Sequence, residues 1–502
     1  MSAEKLVSQE QVSRLLPLPL RTALTALRRE LPAAAPELYL VGGTLRDLLL
    51  GREVHDIDLC VPRAAVAFAR ALAERAGAAF VCLDEGEDVA RVVLPAGPEV
   101  DIAAFRGATV TIEQDLQLRD FTLNALALDL AAFLDGDTDR ALACIDPCGA
   151  QADIAARVIR PTHEHAFAAD PLRMLRAYRL AATLDCGLAP ETRALVRRDF
   201  SLIVRSAGER VASELNALLL SSHASSAIQC MAEDGLLFAV IPELALGRDV
   251  SQPRAFHHLN VLEHNLEALK QAELLVARPG AFFPDCAPPL QDWLAAADAV
   301  LVLKWAALLH DVGKPAARQE RQGRLTFYQH EQAGVQLVRE LAQRLRWSTR
   351  HSERVCRLVA LHMRPYQLLH AARSSGGLSL RACIRAVQAV DEDLPGLLLL
   401  CQADTLAGRG ERRPADLEAQ VAWIADRLLQ VRAERVMPVQ TAPPLLTGHD
   451  LMDRLGLQPG PLFKKILGAV ALARMEGGIA TRREALALAR EMAAAANREG
   501  GA

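Results

Sequence analysis

The stretch Tyr39 to Val61, YLVGGTLRDLLLGREVHDIDLCV, constrains this chain more than any other. A short apolar run, Tyr39 to Val41, meets Gly42 and Gly43. A helix-compatible segment then runs from Thr44 to Leu50 and stops at Gly51. Beyond it Asp56 and Asp58 alternate with Ile57, Leu59 and Val61. Residues two apart in a strand share a face, so both aspartates leave one side while the apolar residues enter a core. Two carboxylates about 4 Å apart at an effective dielectric near 20 repel by roughly 4 kcal/mol. A divalent cation between them turns that penalty into a site, and oxygen-only ligands suit Mg²⁺ held together with substrate phosphates. The glycines let backbone N–H groups approach a phosphate, and the following helix N-terminus favours negative charge.

Gly-Gly alone is a turn, and D-x-D alone is a solvated strand end. Strand, Gly-Gly, Arg46-Asp47, Gly51 and D-x-D packed into about twenty residues resist that bland account, and together read as metal-assisted nucleotidyl transfer. The stretch resembles the GG…RD…LG…DxD signature of DNA polymerase β-type nucleotidyltransferases, and among them the bacterial class II tRNA nucleotidyltransferase and poly(A) polymerase family. The resemblance implies that Gly42, Gly43 and Arg46 contact nucleotide and that Asp56 and Asp58 hold Mg²⁺ and are catalytic.

At 502 residues several domains are expected. Half the residues are hydrophobic but only 4% aromatic, a balance that suits a mostly helical protein. The formal net charge of −4 excludes a protein that holds nucleic acid by bulk charge, so RNA contact must come from local basic faces. The ten cysteines contain no C-x-x-C, which suits reduced thiols. The start, MSAEKLVSQEQ, has no apolar signal region and no run is long enough to span a membrane. A cytoplasmic location with no membrane partner is expected.

After the D-x-D strand, Pro62 to Ala76 reads as a helix, and Phe80–Leu83, Arg91–Leu94 and Val100–Phe105 as strands. Asp101 reads either as a third metal-site carboxylate, as in the family, or as a surface strand residue. LRDFTLNALALDL, from Leu118 to Leu130, resembles the family's RRDFTxNA motif, with Leu118 in place of the first Arg. By that resemblance Arg119 and Asp120 contact the incoming nucleotide and its ribose, and Asn124 helps place the triphosphate. The family's long flexible loop is short here, GATVTI between Arg106 and Glu113, which resembles members restricted to adding C and also other HD-bearing members.

In HAFAADPLRMLRAYRL, Asp170-Pro171 fits a helix start, and Arg173, Arg176 and Arg179 recur along one helix face. A capped helix with a solvated basic stripe explains this blandly. Base selection is the sharper account. Cytosine and adenine each offer an exocyclic amine beside a ring-nitrogen acceptor, which Asp170 and Arg173 complement. Guanine and uracil would leave buried groups unpaired, at about 1–3 kcal/mol per group. The segment resembles the family's EDxxR template with Ala169 in place of Glu, and GERVASELNALLLS (Glu209, Arg210, Glu214) resembles the motif closing the neck.

Further on, His264, His310-Asp311, His330, His362 and Asp404 recur in order, with Gly313-Lys314-Pro315 after the His-Asp pair. This resembles the HD phosphohydrolase superfamily, whose ligands run His, His-Asp, Asp with extra histidines in two-metal members. His257 and His258 are neighbouring alternatives to His264. Imidazole and carboxylate together suit a transition metal such as Mn²⁺, Ni²⁺, Fe²⁺ or Zn²⁺, able to activate water for phosphoester cleavage. The Pro-rich AFFPDCAPPL reads as an inserted loop, and the segment from Leu445 through Gly460-Pro461 and Lys464-Lys465, with two further helical stretches after it, either as an RNA-contacting tail or as a helix–turn–helix packing unit.

The expected fold class is α+β: a small mixed-sheet polymerase β-like head followed by an all-helical neck, HD-type body and tail. Expected domains are an N-terminal helical arm (1–35), head (36–152), neck (153–250), HD-like domain (251–435) and tail (436–502). The expected activity is addition of C, A or both from CTP and ATP to a tRNA or other RNA 3′ end. Alternatives are a poly(A) polymerase, a protein that is mainly an HD metal phosphohydrolase, and a non-catalytic RNA binder. Oligomeric state is not legible.

Overall fold

The computed structural model describes residues 7–30, 37–95, 97–135, 142–255, 257–322, 324–375 and 377–499. The chain forms two compact units, Met1–His223 with Cys230–Val240, and Ala224–Gln229 with Ile241–Ala502.

The first unit is built on β1 (Tyr39–Val41), β2 (Asp56–Val61), β3 (Ala79–Asp84), β4 (Val89–Val93), β5 (Glu99–Ala104) and β6 (Ala127–Asp129). They form a mixed sheet in the order β3-β4-β5-β2-β1-β6, in which β2 and β5 are parallel and the other pairs antiparallel. Ile57, Leu59, Val92, Val100 and Ile102 fill the core beneath it, as the alternating pattern requires. The helix Gly42–Leu50 starts on Gly42 at φ +65, and Gly51 in the left-handed region returns its N–H to Asp47 and Leu48 to end it. The helix expected from Pro62 spans Ala65–Ala76, because Ala64 lies in the left-handed region. The RDFTLN segment folds as a short 3-10 turn, Thr122–Asn124, leading into β6.

The neck helices Leu172–Leu184 and Gly208–Leu220 belong to the same unit. The neck is not all helical: β7 (Val158–Ile159) and β8 (Gly187–Leu188) pair in parallel on either side of the first neck helix. Parallel strands need such a crossover, and Val158 and Ile159 suit a pleated surface.

In the second unit the helices Val261–Ala277, Ala299–Leu309, Thr349–Leu361 and Leu394–Ala407 form the core, with Trp305 and Phe283 fully buried. An Asn260/Glu263 capping box starts the first of these. The body also departs from all-helical: β9 (Gln319–Arg321) and β10 (Arg324–Thr326) form an antiparallel ribbon. AFFPDCAPPL is not a loop either. Its ends belong to the helices Pro279–Phe282 and Ala287–Leu294, with a four-residue connection from Phe283 to Cys286 between them, and Pro288 and Pro289 sit in the first turn of the second, where a missing N–H costs nothing.

The tail helices Gly448–Leu455, Pro461–Met475 and Arg482–Glu499 share a small core including Leu451, Ile466, Val470 and Ala489. The run after Gly460 is thus itself the second tail helix, and one helix follows it rather than two. Among the described residues no single helix is long and apolar enough to cross a membrane. All ten cysteines are free thiols.

Candidate active site and metal centre

A cavity of about 540 Å³ opens in the first unit. Gly42, Gly43, Arg46, Asp56, Asp58 and Asp101 line one part of it, and Arg119, Asp120, Asn124, Asp170, Arg173, Arg176 and Arg179 another. The first of these groups comes from the turn and from β2 and β5; the second comes from the 3-10 turn and the neck helix. Thr44 braces the turn to the strand. Its hydroxyl accepts from the Asp58 N–H at 2.7 Å and donates to the Asp56 carbonyl at 3.2 Å, and its N–H donates to Asp58 Oδ2 at 3.3 Å. A Cβ on Gly42 would lie 3.1 Å from Arg119 Nη1 and 3.3 Å from Asp58 Oδ2, so this position needs glycine for both its φ and its space. Burial pushes the Asp58 carboxyl up, against the Thr44 N–H and Arg119. A carboxylate desolvated in this way is stabilised by a cation, and the all-oxygen donor pair Asp56 and Asp58 fits a small hard divalent ion.

Asp101 is the register partner of Asp58, but Arg91 holds it by a bidentate fork, Nε at 2.7 Å and Nη2 at 2.9 Å. Arg46 donates to Asp47 and, through Nη1, to Asn124 Oδ1 at 2.7 Å. Asn124 passes the contact to Asp120 Oδ1 at 3.0 Å, and Arg176 Nε meets Asp120 Oδ2 at 2.7 Å. Burial raises the Asp120 carboxyl, yet Arg176, Asn124 and the Phe121 N–H outweigh it and hold the group below its ordinary range. With both oxygens engaged by protein donors, Asp120 orients Arg176 across the cavity. Arg119 is aligned by Asp115, a fully buried residue to which its Nε and Nη2 donate at 3.1 and 3.0 Å.

In the neck, Asp170 Oδ1 accepts from the Leu172 N–H at 3.2 Å, capping a helix that starts one residue later than Asp170-Pro171 suggests, and Oδ2 accepts from Arg210 at 3.3 Å. Arg179 pairs with Glu214 at 2.5 Å. Arg173 donates to the Leu118 carbonyl at 3.4 Å, a backbone acceptor at the residue that replaces the family's first arginine. Sequence reasoning missed Thr44, Arg91 and Asp115. Thr44 was detectable as a hydroxyl directly after Gly-Gly; Arg91 and Asp115 carry no local signal.

The second unit brings together all six expected ligands. His264, His310 and Asp404 form one group and Asp311, His330 and His362 a second, with the ligand atoms of each within 4.8 Å of one another. His264 Nε2 lies 2.9 Å from Asp404 Oδ1, and the His264 and His310 Nε2 atoms are 3.3 Å apart. The His330 and His362 Nε2 atoms are 3.2 Å apart. Asp311 serves both groups, with Oδ2 3.3 Å from His310 and Oδ1 3.3 Å from His330.

The imidazole orientations test whether metal fits. Nδ1 of His310, His330 and His362 faces the carbonyl of Ala307, Phe327 and Val359 at 3.0, 2.8 and 2.8 Å. A carbonyl only accepts, so each Nδ1 carries a proton and each ring turns its Nε2 toward its neighbour, the orientation that metal-ligating histidines take. Asp311 Oδ1 is buried without a hydrogen-bond donor. Burial pushes the His310 imidazole down, but Asp311 and Asp404 more than reverse it, to about 10; the pocket draws positive charge to that nitrogen. Gly313 permits the construction, since a Cβ there would collide with the His330 carbonyl and the Gly334 backbone. A cavity of about 660 Å³ opens onto Asp311, His330 and Asp404, with Lys314, His257, Phe327 and Tyr366 also on its wall. Lys314 Nζ bridges Asp311 Oδ2 at 2.5 Å and Gln252 Oε1 at 2.7 Å. His264, not His257, joins the ligand group; His257 packs edge-on against it at 4.8 Å.

Comparison with known proteins agrees with this geometry. Residues 38–160 match the poly A polymerase head domain, 187–246 a probable RNA and SrmB-binding site of polymerase A, and 261–430 the HD domain. The chain is 37% identical over 475 residues to an A-adding tRNA nucleotidyltransferase of Deinococcus radiodurans, spanning 93% of this chain and 98% of that one. It is 32% identical to a CC-adding tRNA nucleotidyltransferase of Thermus thermophilus, over 90% of this chain and 92% of that one. The fold is similar to that of the Thermotoga maritima CCA-adding enzyme complexed with tRNA, at a TM-score of 0.62 and 20% identity over 99% of this chain and 100% of that one. With the carboxylate pair, the glycine turn and a match to these relatives over nearly its full length, the chain belongs to the tRNA nucleotidyltransferase family.

Proposed function

We propose that this enzyme transfers C, A or both from CTP and ATP to the 3′ end of tRNA. The observation that carries this is the shared cavity: the carboxylate pair Asp56 and Asp58 and the base-reading pair Asp170 and Arg173 face one space. Asp56 and Asp58 would hold Mg²⁺, which when bound lowers the pKa of the RNA 3′-hydroxyl and offsets charge on the triphosphate. The Gly42-Gly43 turn and Arg46 seat the triphosphate, and Asn124 fixes Arg46. Arg119, aimed by Asp115, adds a positive group beside Asp58. Asp170 accepts from the exocyclic amine of cytosine or adenine while Arg173 donates to the ring nitrogen. Since Asp170 also accepts from Arg210, its carboxylate is held in one orientation for that contact.

Nucleotide choice is supported from two sides. The short segment after Arg106 is closed at its base, where Asp115 accepts from the Arg106 N–H at 2.9 Å, and it resembles both C-restricted members and other HD-bearing ones. The Deinococcus radiodurans relative, in contrast, bears the name A-adding. The deciding assay extends tRNA lacking CCA, tRNA ending in CC and a generic RNA oligonucleotide, with each nucleotide separately. Extension of tRNA by C or A and poor use of the oligonucleotide are expected. Equal extension of all three by ATP alone would instead identify a poly(A) polymerase.

A second activity is favoured by the six converging ligands. We infer that His264, His310, Asp311, His330, His362 and Asp404 hold a transition-metal centre, with Mn²⁺, Ni²⁺ or Fe²⁺ matching the donor set. Such ions when bound activate water for phosphoester hydrolysis, and Lys314 is placed to hold a phosphate oxygen at the cavity floor.

A further inference from the structure

The parallel register of β2 and β5 sets Asp56 opposite Glu99 and Asp58 opposite Asp101. Register partners and residues two apart share a sheet face, so four carboxylates stand on one face of the sheet. On the next strand Arg91 is the register partner of Asp101. Its guanidinium grips Asp101 through two bonds and reaches Glu99 with Nη1, and Asp56 lies near enough to add to the attraction. Asp101 lines the cavity, and the Arg91 and Asp101 side chains are 32% and 28% exposed, so the pair is open to exchange. One protein cation therefore satisfies the two β5 carboxylates, while the β2 carboxylates face the open cavity.

We propose that Arg91 is a built-in counter-ion that withholds Asp101 from the divalent-metal site and thereby lowers the site's affinity for the ion. A guanidinium fork occupies both carboxylate oxygens, so Asp101 reaches a metal only when Arg91 lets go. Metal loading is consequently weaker than three carboxylates would give, and Arg91 tunes it. Arg91 is a positioning residue; it acts through Asp101. The inference rests on Asp56 and Asp58 being the metal site of the transferase.

The test is a titration of the full-length protein with Mn²⁺, reading free ion by electron paramagnetic resonance. The component of the isotherm that disappears in Asp58→Asn belongs to this site, which separates it from ions taken up by the histidine centre. In Arg91→Ala and Arg91→Met, each with a wild-type circular dichroism spectrum, that component should tighten about tenfold. Adding Asp101→Asn should cancel the gain. Unchanged or weaker binding in both Arg91 variants, or a gain that survives loss of Asp101, would overturn the role of Arg91. If Asp58→Asn removes no component, the reading of the aspartate pair as a metal site fails with it.

Discussion

At the scale of single residues, the first cavity is governed by side chains whose own partners are protein. Asp115 is fully buried and takes donors from Arg106 and from Arg119. Removing it strands a buried guanidinium, and Asp115→Ala should destabilise the first unit by about 3 kcal/mol. A fall in the urea midpoint and a rise in apparent KM for nucleotide would register this, whereas Asp115→Glu should recover part of the KM. A surface-like loss below 1 kcal/mol would show that Arg119 does not depend on it. Residue types at this scale were only half legible from sequence. Gly42, Gly43, Asp56 and Asp58 announce themselves because a turn and a period-two strand are local patterns. The Arg91–Asp101 fork and the Asp115 hub depend on which strands neighbour each other and on how a helix sets its first turn, which no local pattern encodes. Asp120 shows the same limit: its motif points to a nucleotide contact, but its hydrogen bonds to Asn124 and Arg176 carry no signal in that motif.

At the scale of elements, close approach decides what sequence periodicity cannot. The His-Asp turn fits against the start of the helix His330–Arg344 only because residue 313 has no Cβ. Gly313→Ala should displace that helix and the His330 imidazole with it, costing about 2 kcal/mol or more of stability in the second unit. Thermal unfolding and Mn²⁺ uptake by the histidine centre would read the two effects; unaltered melting and uptake would show that the contact relaxes freely. The Pro-rich segment teaches a related lesson. Prolines mark a loop by composition, but Pro279 and Pro288 occupy first helical turns, where proline is an asset. The ribbon of β9 and β10 escaped notice because three-residue strands carry too little alternation to stand out.

At the scale of the whole molecule, two compact units hold two separate donor clusters, one of carboxylates alone and one in which imidazoles join them. Asp58→Ala should abolish tRNA extension and leave Mn²⁺-dependent hydrolysis of bis-p-nitrophenyl phosphate in place; His310→Ala should do the reverse. If Asp58→Ala leaves the principal activity intact, the chain is first a phosphohydrolase. A net charge of −4 places the burden of RNA contact on local basic faces, so tRNA affinity should depend on particular arginines rather than on overall charge.

The Thr44 brace has one more consequence. It ties anion cradle and acid pair into a block of contiguous chain barely two dozen residues long. Whatever the neck and the short segment after Arg106 do to choose a base, they deliver their choice to a kernel whose internal spacing they do not set. A substitution in the neck can therefore change which base is offered without moving the aspartates relative to the glycine turn.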